Sequence, residues 1–249
     1  MEQISENNIY QGDCLELIKG IPDGTVDCII TDPPYGTTKN KWDKRVDIAA
    51  MLQEFKRVLK PNGAMCIFGQ EPFSSEMRLA GKFFRYDWIW QKKRPLGFLN
   101  ANKMPLRDYE IISVFYRHLP TYNPQFSSGK PYAKFPSKRG RSTTNYGDFK
   151  DIPRIYDGCR YPKSVLQFPY DKEKLHPTQK PVALIEYLIK TYTNPGELVL
   201  DCFLGCGTTA VAAINTGRKY IGFELDDGYY KMAQERIGQS RAAAIRSNT

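Results

Sequence analysis

The stretch "VDCIITDPPYG", Val26 to Gly36, constrains the fold more than any other part of the chain. An unbroken run of β-branched and apolar residues reads as a strand buried on both faces, the kind found in parallel sheets covered by helices. Two prolines then end it, because neither can donate to a ladder and the first keeps Asp32 out of helical backbone. The strand has to stop at Asp32 and release a stiff, extended turn. That position is the carboxyl edge, where open α/β sheets place their ligands.

The flanking sequence repeats this punctuation. "NIYQGD" reads as a short strand ending at Asp13 and "CLELIKGI" as a helix. In "DIAAMLQEFKRVLK" the spacing of Ile48, Leu52, Phe55 and Leu59 predicts a helix, stopped by Pro61-Asn62-Gly63 before the strand "AMCIFG". "DWIWQ" and "EIISVFY" read as further strands. From Arg117 to Tyr161 the chain turns to Gly, Pro, Ser and Lys, which predicts long loops, some ordered only on binding. The alternation then resumes with the helix "VALIEYLIKTY", the strand "ELVLD", the loop "CFLGCGTT", the helix "AVAAINTG", the strand "KYIGFELD" and a last helix ending near Ile237. The expectation is an α/β fold divided at 1–116, a loop-rich insertion at 117–165, a second α/β part at 166–237 and a flexible tail at 238–249.

Composition narrows the function. No run approaches the ~18 apolar residues of a membrane span, and the first residues lack a signal-peptide pattern, so a soluble, cytoplasmic protein is expected. Six scattered cysteines without C-x-x-C, and only two histidines, suggest neither disulfides nor a metal centre. The net charge is +9. Residues 85–165 hold 16 Lys and Arg against 6 Asp and Glu, and 15 of the 32 aromatics, so the excess charge lies in one segment. A basic, aromatic surface suits a polyanion whose phosphates it tracks and whose bases it stacks upon, although a solvated, loop-rich face has the same composition. Its candidate nucleic-acid contacts are Lys92, Lys93, Arg94, Lys138, Arg139 and Arg141.

Two motifs carry chemistry. In "VLDCFLGCGTTA" a strand leads through Gly205-x-Gly207 into a helix, and Glu224 closes the following strand. Glycines permit a tight turn and close backbone approach at a helix N-terminus, and the acid can accept from ribose hydroxyls. No Lys follows the glycines, so this is not a Walker loop; NAD and S-adenosylmethionine both remain open as guests. In "TDPPYG" the Asp32 carboxylate and the Pro33 carbonyl can accept the two hydrogens of an exocyclic amine, Pro34 stiffens the turn, and Tyr35 offers a face for an extruded base.

Together these residues resemble the S-adenosylmethionine-dependent DNA amino-methyltransferases. "TDPPYG" is similar to their catalytic motif, "VLDCFLGCGTT" to their cofactor loop, and "LHPTQKP" with "LIEYLIKTYTNPGE" to the segment before that loop; the resemblance covers roughly residues 8–116 and 174–237. Motif order resembles the permuted beta group. It implies a Rossmann-like, mostly parallel sheet with one antiparallel strand, completed by "NIYQGD" beside the strand of Glu224, and a target-recognition role for 117–165. It also implies that Asp201, Phe203, Gly205, Gly207 and Thr208 line the cofactor beside Asp32, that Glu224 binds its ribose, that Asp13 and Cys14 meet its adenine, and that Thr178 and Lys180 hold its methionine end. The implied reaction is direct, in-line methylation of adenine N6 on a base flipped from duplex DNA. A companion restriction endonuclease and a homodimer are implied partners. Cytosine-N4 methylation, an NAD-dependent oxidoreductase and a non-catalytic nucleic-acid-binding module are the alternatives. A C5-cytosine enzyme is excluded, since no Pro-Cys nucleophile is present.

Overall fold

The computed structural model describes residues 4–36, 45–135, 142–143, 147–148, 153–173 and 175–247. In chain order the elements are β1 (Asn8–Gln11), α1 (Cys14–Leu17), β2 (Val26–Thr31), α2 (Ile48–Val58), β3 (Leu59–Gly69), α3 (Phe73–Gly81), β4 (Phe84–Leu96) and β5 (Arg107–Phe115). Six strands of two or three residues follow: β6 (Ser127–Ser128), β7 (Tyr132–Lys134), β8 (Ser142–Thr143), β9 (Gly147–Asp148), β10 (Arg154–Tyr156) and β11 (Cys159–Arg160). The chain ends with β12 (Val165–Gln167), α4 (Val182–Tyr192), β13 (Leu198–Asp201), α5 (Thr208–Asn215), β14 (Lys219–Glu224) and α6 (Asp227–Ser247). Among the described residues no helix is long and apolar enough to cross a membrane.

Eight strands form one sheet in the order β1-β14-β13-β2-β3-β5-β4-β12. Every neighbouring pair is parallel except the two made by β5, which makes it the single reversed strand. β2 and β13 are almost wholly buried, as strands covered on both faces should be. Cys28 and Ile30 pack with Leu184 and Leu188 of α4 and with Ala212 of α5, while Ile29 faces Met51, Phe55 and Val58 of α2 on the opposite side. Asp47 caps α2 by accepting from the amides of Ala49 and Ala50 at 2.9 and 3.0 Å, satisfying donors the helix start leaves free. The pairing of β1 with β14, Gln11 opposite Glu224, joins the two ends of the chain at one sheet edge, as the motif order implies.

Three boundaries differ from expectation. Pro61-Asn62-Gly63 does not precede β3 but bulges within it: pairing to β2 jumps from Val26–Leu59 to Cys28–Ala64, because Leu59 is already buried in the ladder. The insertion is narrower than 117–165. By internal contacts the chain divides into Met1–Asn123 with Ser164–Thr249, and Pro124–Lys163. Asn123 is tied down because its amide group donates to the carbonyls of Lys190 and Thr193 at the end of α4 (3.2 and 3.1 Å), and Val165 is in the sheet opposite Ile89. The expected flexible tail from 238 is instead helical to Ser247. Ile237 is buried, and Arg241 donates to the Asn7 carbonyl and the Tyr220 hydroxyl, so the last turns of α6 are anchored.

Candidate active site

The carboxyl ends of β1, β14, β13 and β2 open on one cleft of about 980 Å³, whose lining includes Asp13, Asp32, Tyr35, Lys180, Gly205 and Glu224. Parallel pairing places these strand ends side by side, so four acids far apart in sequence, Asp13, Glu224, Asp201 and Asp32, converge.

At the cofactor-loop end the geometry is set by backbone. Gly205 and Gly207 have φ of +55° and +83°, conformations that favour glycine. They differ in surroundings. A Cβ on Gly205 would meet nothing within 4 Å, whereas one on Gly207 would come within 3.2 Å of the Ala233 Cβ, so Gly207 serves the approach of α6. Glu224 accepts from the Gly205 amide at 2.7 Å and from the Asp226 amide at 2.8 Å; burial pushes its carboxyl up. The bulk of Leu204 is taken up by the sheet: a Cβ on Gly222 would lie 2.7 Å from its Cδ2. Asp201 accepts from Thr31 Oγ1 (2.7 Å), Thr209 Oγ1 (2.6 Å) and the Phe203 amide (3.1 Å), binding β2 to the loop. Buried among neutral partners, its carboxyl is pushed up to about 6. Thr208 lines the cleft at the start of α5 and accepts from Arg236 at 2.9 Å. Asp13 caps α1 through the Leu15 amide at 2.8 Å, and the Cys14 thiol, pushed up to about 12 by burial, offers the cleft an uncharged wall.

The other end is built on charge. Tyr35 donates its hydroxyl hydrogen to Asp32 Oδ1, and Lys180 donates to Asp32 Oδ2. The Tyr35 ring packs on Phe73, centroids 5.1 Å apart. The Lys180 Nζ also lies 3.2 Å from Glu110 Oε2, and the Glu110 Oε1 meets Lys92. Burial raises the Asp32 carboxyl, with Lys180 opposing and Glu110 adding to the rise. Burial pulls Glu110 the same way, but Lys180 and Lys92 outweigh it and hold Glu110 below the usual carboxylate range.

Thr178 and Lys180 line the cleft as expected but also bind within the protein, and one expected nucleic-acid contact is buried. Lys180, assigned by resemblance to the cofactor's carboxylate, pairs with the protein's own carboxylates. Thr178 binds His176 Nδ1 through its hydroxyl at 3.0 Å, and the His176 ring packs on Tyr229. Lys92 is not a surface contact for nucleic acid: it is 6% exposed and paired to Glu110, because Trp88, Trp90 and Lys92 share the inward face of β4. Lys93 and Arg94 are exposed, and Lys138, Arg139 and Arg141 lie outside the described residues.

Glu110 is not among the sequence candidates, although an acid in the apolar run of "RDYEIISVF" is its signal. Gln179 is missed too; it links Asp171 (2.9 Å) with the Leu175 amide (2.8 Å) and holds the segment that carries Lys180.

Comparison with known proteins bears on this site. The chain belongs to the DNA methylase family, whose model matches residues 26–235. It is 32% identical to the DNA adenine methyltransferase YhdJ of Escherichia coli K12, over 92% of this chain and 82% of that one. It is 30% identical to the Type II methyltransferase M.BglII of Bacillus subtilis, over 92% of this chain and 68% of that one. The crystal structure of an M1.HpyAVI–SAM complex superposes with a TM-score of 0.63 at 28% identity, covering 92% of this chain and 98% of the other. The oxidoreductase and non-catalytic alternatives fall with this result.

Proposed function

We propose that the protein transfers a methyl group from S-adenosylmethionine to the N6 of adenine in duplex DNA, on a base flipped into the cleft beside Asp32. The observation that carries this reading is the single cleft holding both Glu224 with Gly205 and the Asp32–Tyr35 turn. The residues present fit the cofactor: Gly205 leaves open space where any other residue would place a Cβ, Glu224 is a half-buried acceptor for ribose hydroxyls, and Asp13 and Cys14 wall the adenine side. A volume of about 980 Å³ suits a nucleoside cofactor and a base together. Bound there, S-adenosylmethionine supplies a methyl group activated by its sulfonium. The protein's own part is orientation and charge. Asp32 accepts a hydrogen of the target amine and directs its lone pair, the Pro33 carbonyl is the second acceptor, and Tyr35 fixes the carboxylate and walls the base.

DNA reaches the cleft along the β4–β5 hairpin. Lys93, Arg94, Lys103 and Arg107 are exposed there, and Leu96, Gly97 and Met104 between them line the cleft. Within Pro124–Lys163, Tyr132 stacks on Tyr156 (4.5 Å, 15°) with Arg160 4.8 Å over its ring, a basic and aromatic surface suited to reading the target sequence. A cytoplasmic location, a companion restriction endonuclease and a homodimer belong to the same reading. Incubation with DNA and labelled cofactor, followed by modification-sensitive sequencing, is expected to place the label on adenine N6; label on cytosine N4 would overturn the choice of base.

A further inference from the structure

Four charges alternate along one buried line: Asp32, Lys180, Glu110 and Lys92. The Lys180 and Lys92 side chains are only 8% and 3% exposed, and those of Glu110 and Asp32 are half-buried at 16% and 21%. Such a line is tolerable because it sums to zero and each charge has an opposite neighbour. The Asp32 carboxylate alone would have needed only Lys180. Glu110 and Lys92 come from two strands on the far side of the ammonium, and neither reaches Asp32 directly.

We infer that Glu110, anchored by Lys92, is a positioning residue: it shares the Lys180 ammonium with Asp32, so that Asp32 is held in place without being fully neutralised as an acceptor for the target amine. This rests on the reading that Asp32 receives that amine. A lysine given wholly to Asp32 competes with the incoming N–H donor for the same oxygens; a lysine shared with Glu110 competes less. The arrangement lets a carboxylate be both ordered and available, and Lys92 keeps Glu110 ionised for this purpose. Among the described residues, the other titratable groups facing this line include the Tyr35 hydroxyl from the Asp32 turn, Asp201 from the end of β13, and the Tyr170 phenol, which feels Glu110 and Lys180.

The two anchors act on Asp32 in opposite senses. Glu110→Gln leaves the line with one excess positive charge and Lys180 drawn to Asp32 alone. Lys92→Met leaves one excess negative charge, and the double variant restores neutrality. Single-turnover methyl transfer should be measured against pH for all three, with cofactor and DNA affinities measured by titration. For Glu110→Gln the plateau rate is expected to fall about ten-fold, with both affinities within two-fold of the parent. Its acid limb should move down by about one pH unit, since a like charge near Asp32 has gone. For Lys92→Met the acid limb should move up, and in the double variant the opposite shifts should cancel and return it towards the parent while the rate stays low. Acid limbs that stay put in both single variants, or move the same way, overturn the inference. So does loss of both affinities in step with activity, which is what a packing role would give. If Glu110→Gln fails to fold, the upward limb of Lys92→Met decides alone. Asp32→Ala in the same assay separates the two levels: an active Asp32→Ala enzyme sinks the reading of Asp32 itself, whereas an inactive one with unmoved limbs sinks only the role of Glu110.

Discussion

Lys92 and Lys93 are neighbours in the chain and opposites in the protein. The first points into the buried charge line behind Asp32, and the second stands on the exposed hairpin tip with Arg94, Lys103 and Arg107. One hairpin therefore carries two kinds of electrostatics. Inside, charges are few and paired, so each is coupled to its neighbours in the line. Outside, they are numerous, solvated and screened, so on the proposed reading each would contribute a little to the approach of DNA. Residue type alone therefore assigns no role; the face of the strand does.

The largest effect is expected at the inner end. Asp32→Ala should lower methyl transfer by about 10²–10³ or more while cofactor affinity persists, because Glu224 and Gly205 lie at the other end of the cleft. Calorimetric titration beside a transfer assay checks this, and parallel loss of both would erase the separation between the two ends.

Next comes Glu224→Ala, which removes both the proposed ribose acceptor and the partner of the Gly205 amide. Cofactor affinity should fall by about 1.5–3 kcal/mol, with no change in the acid limb of the transfer rate. An altered limb would mean that the ends are coupled.

Asp201 tests whether burial without a cation behaves as argued. Its folded carboxyl stands at about 6 against an ordinary 3.8, so the folded state binds the proton more tightly than the unfolded one. The carboxyl therefore favours the fold at low pH, and that advantage is lost as pH rises from 3.8 to about 6, a change of order 3 kcal/mol. Asp201→Asn should flatten this part of the stability profile, measured by denaturant unfolding at several pH values. An unchanged profile would show that the hydroxyl donors already cancel the cost of burial.

The smallest effect belongs to the tip. Replacing Lys93 and Arg94 with Ala should weaken DNA binding a few-fold and reduce the salt slope by about 0.9 for each phosphate that is no longer neutralised. The rate on saturating DNA should not change. A change in that rate would bring the tip into the inner network.

Much of the site is legible in the sequence, for local reasons. Strand ends, the Pro-Pro turn and the glycine loop are written in backbone chemistry, and α4 runs over the expected "VALIEYLIKTY" because its apolar spacing and its start after Pro181 are local signals. The inward turn of Lys92 is legible too, in the period-two alternation of Trp88, Trp90 and Lys92, but the basic run "KKR" reads first as a surface. The helix beyond Ile237 escapes a local reading because Arg241 finds its partners at Asn7 and on β14, away from α6 in sequence.

The α/β class, the order of the motifs and the acids at the strand ends follow from local sequence, because hydrophobic period, β-branching, proline and glycine act over a few residues. What those acids face depends on the folded sheet. Lys180 meets Asp32 across 148 positions, and Lys92, Glu110 and Lys180 converge from two strands and a loop. Coulomb interaction depends on distance and burial, and neither exists until the sheet has closed over the line.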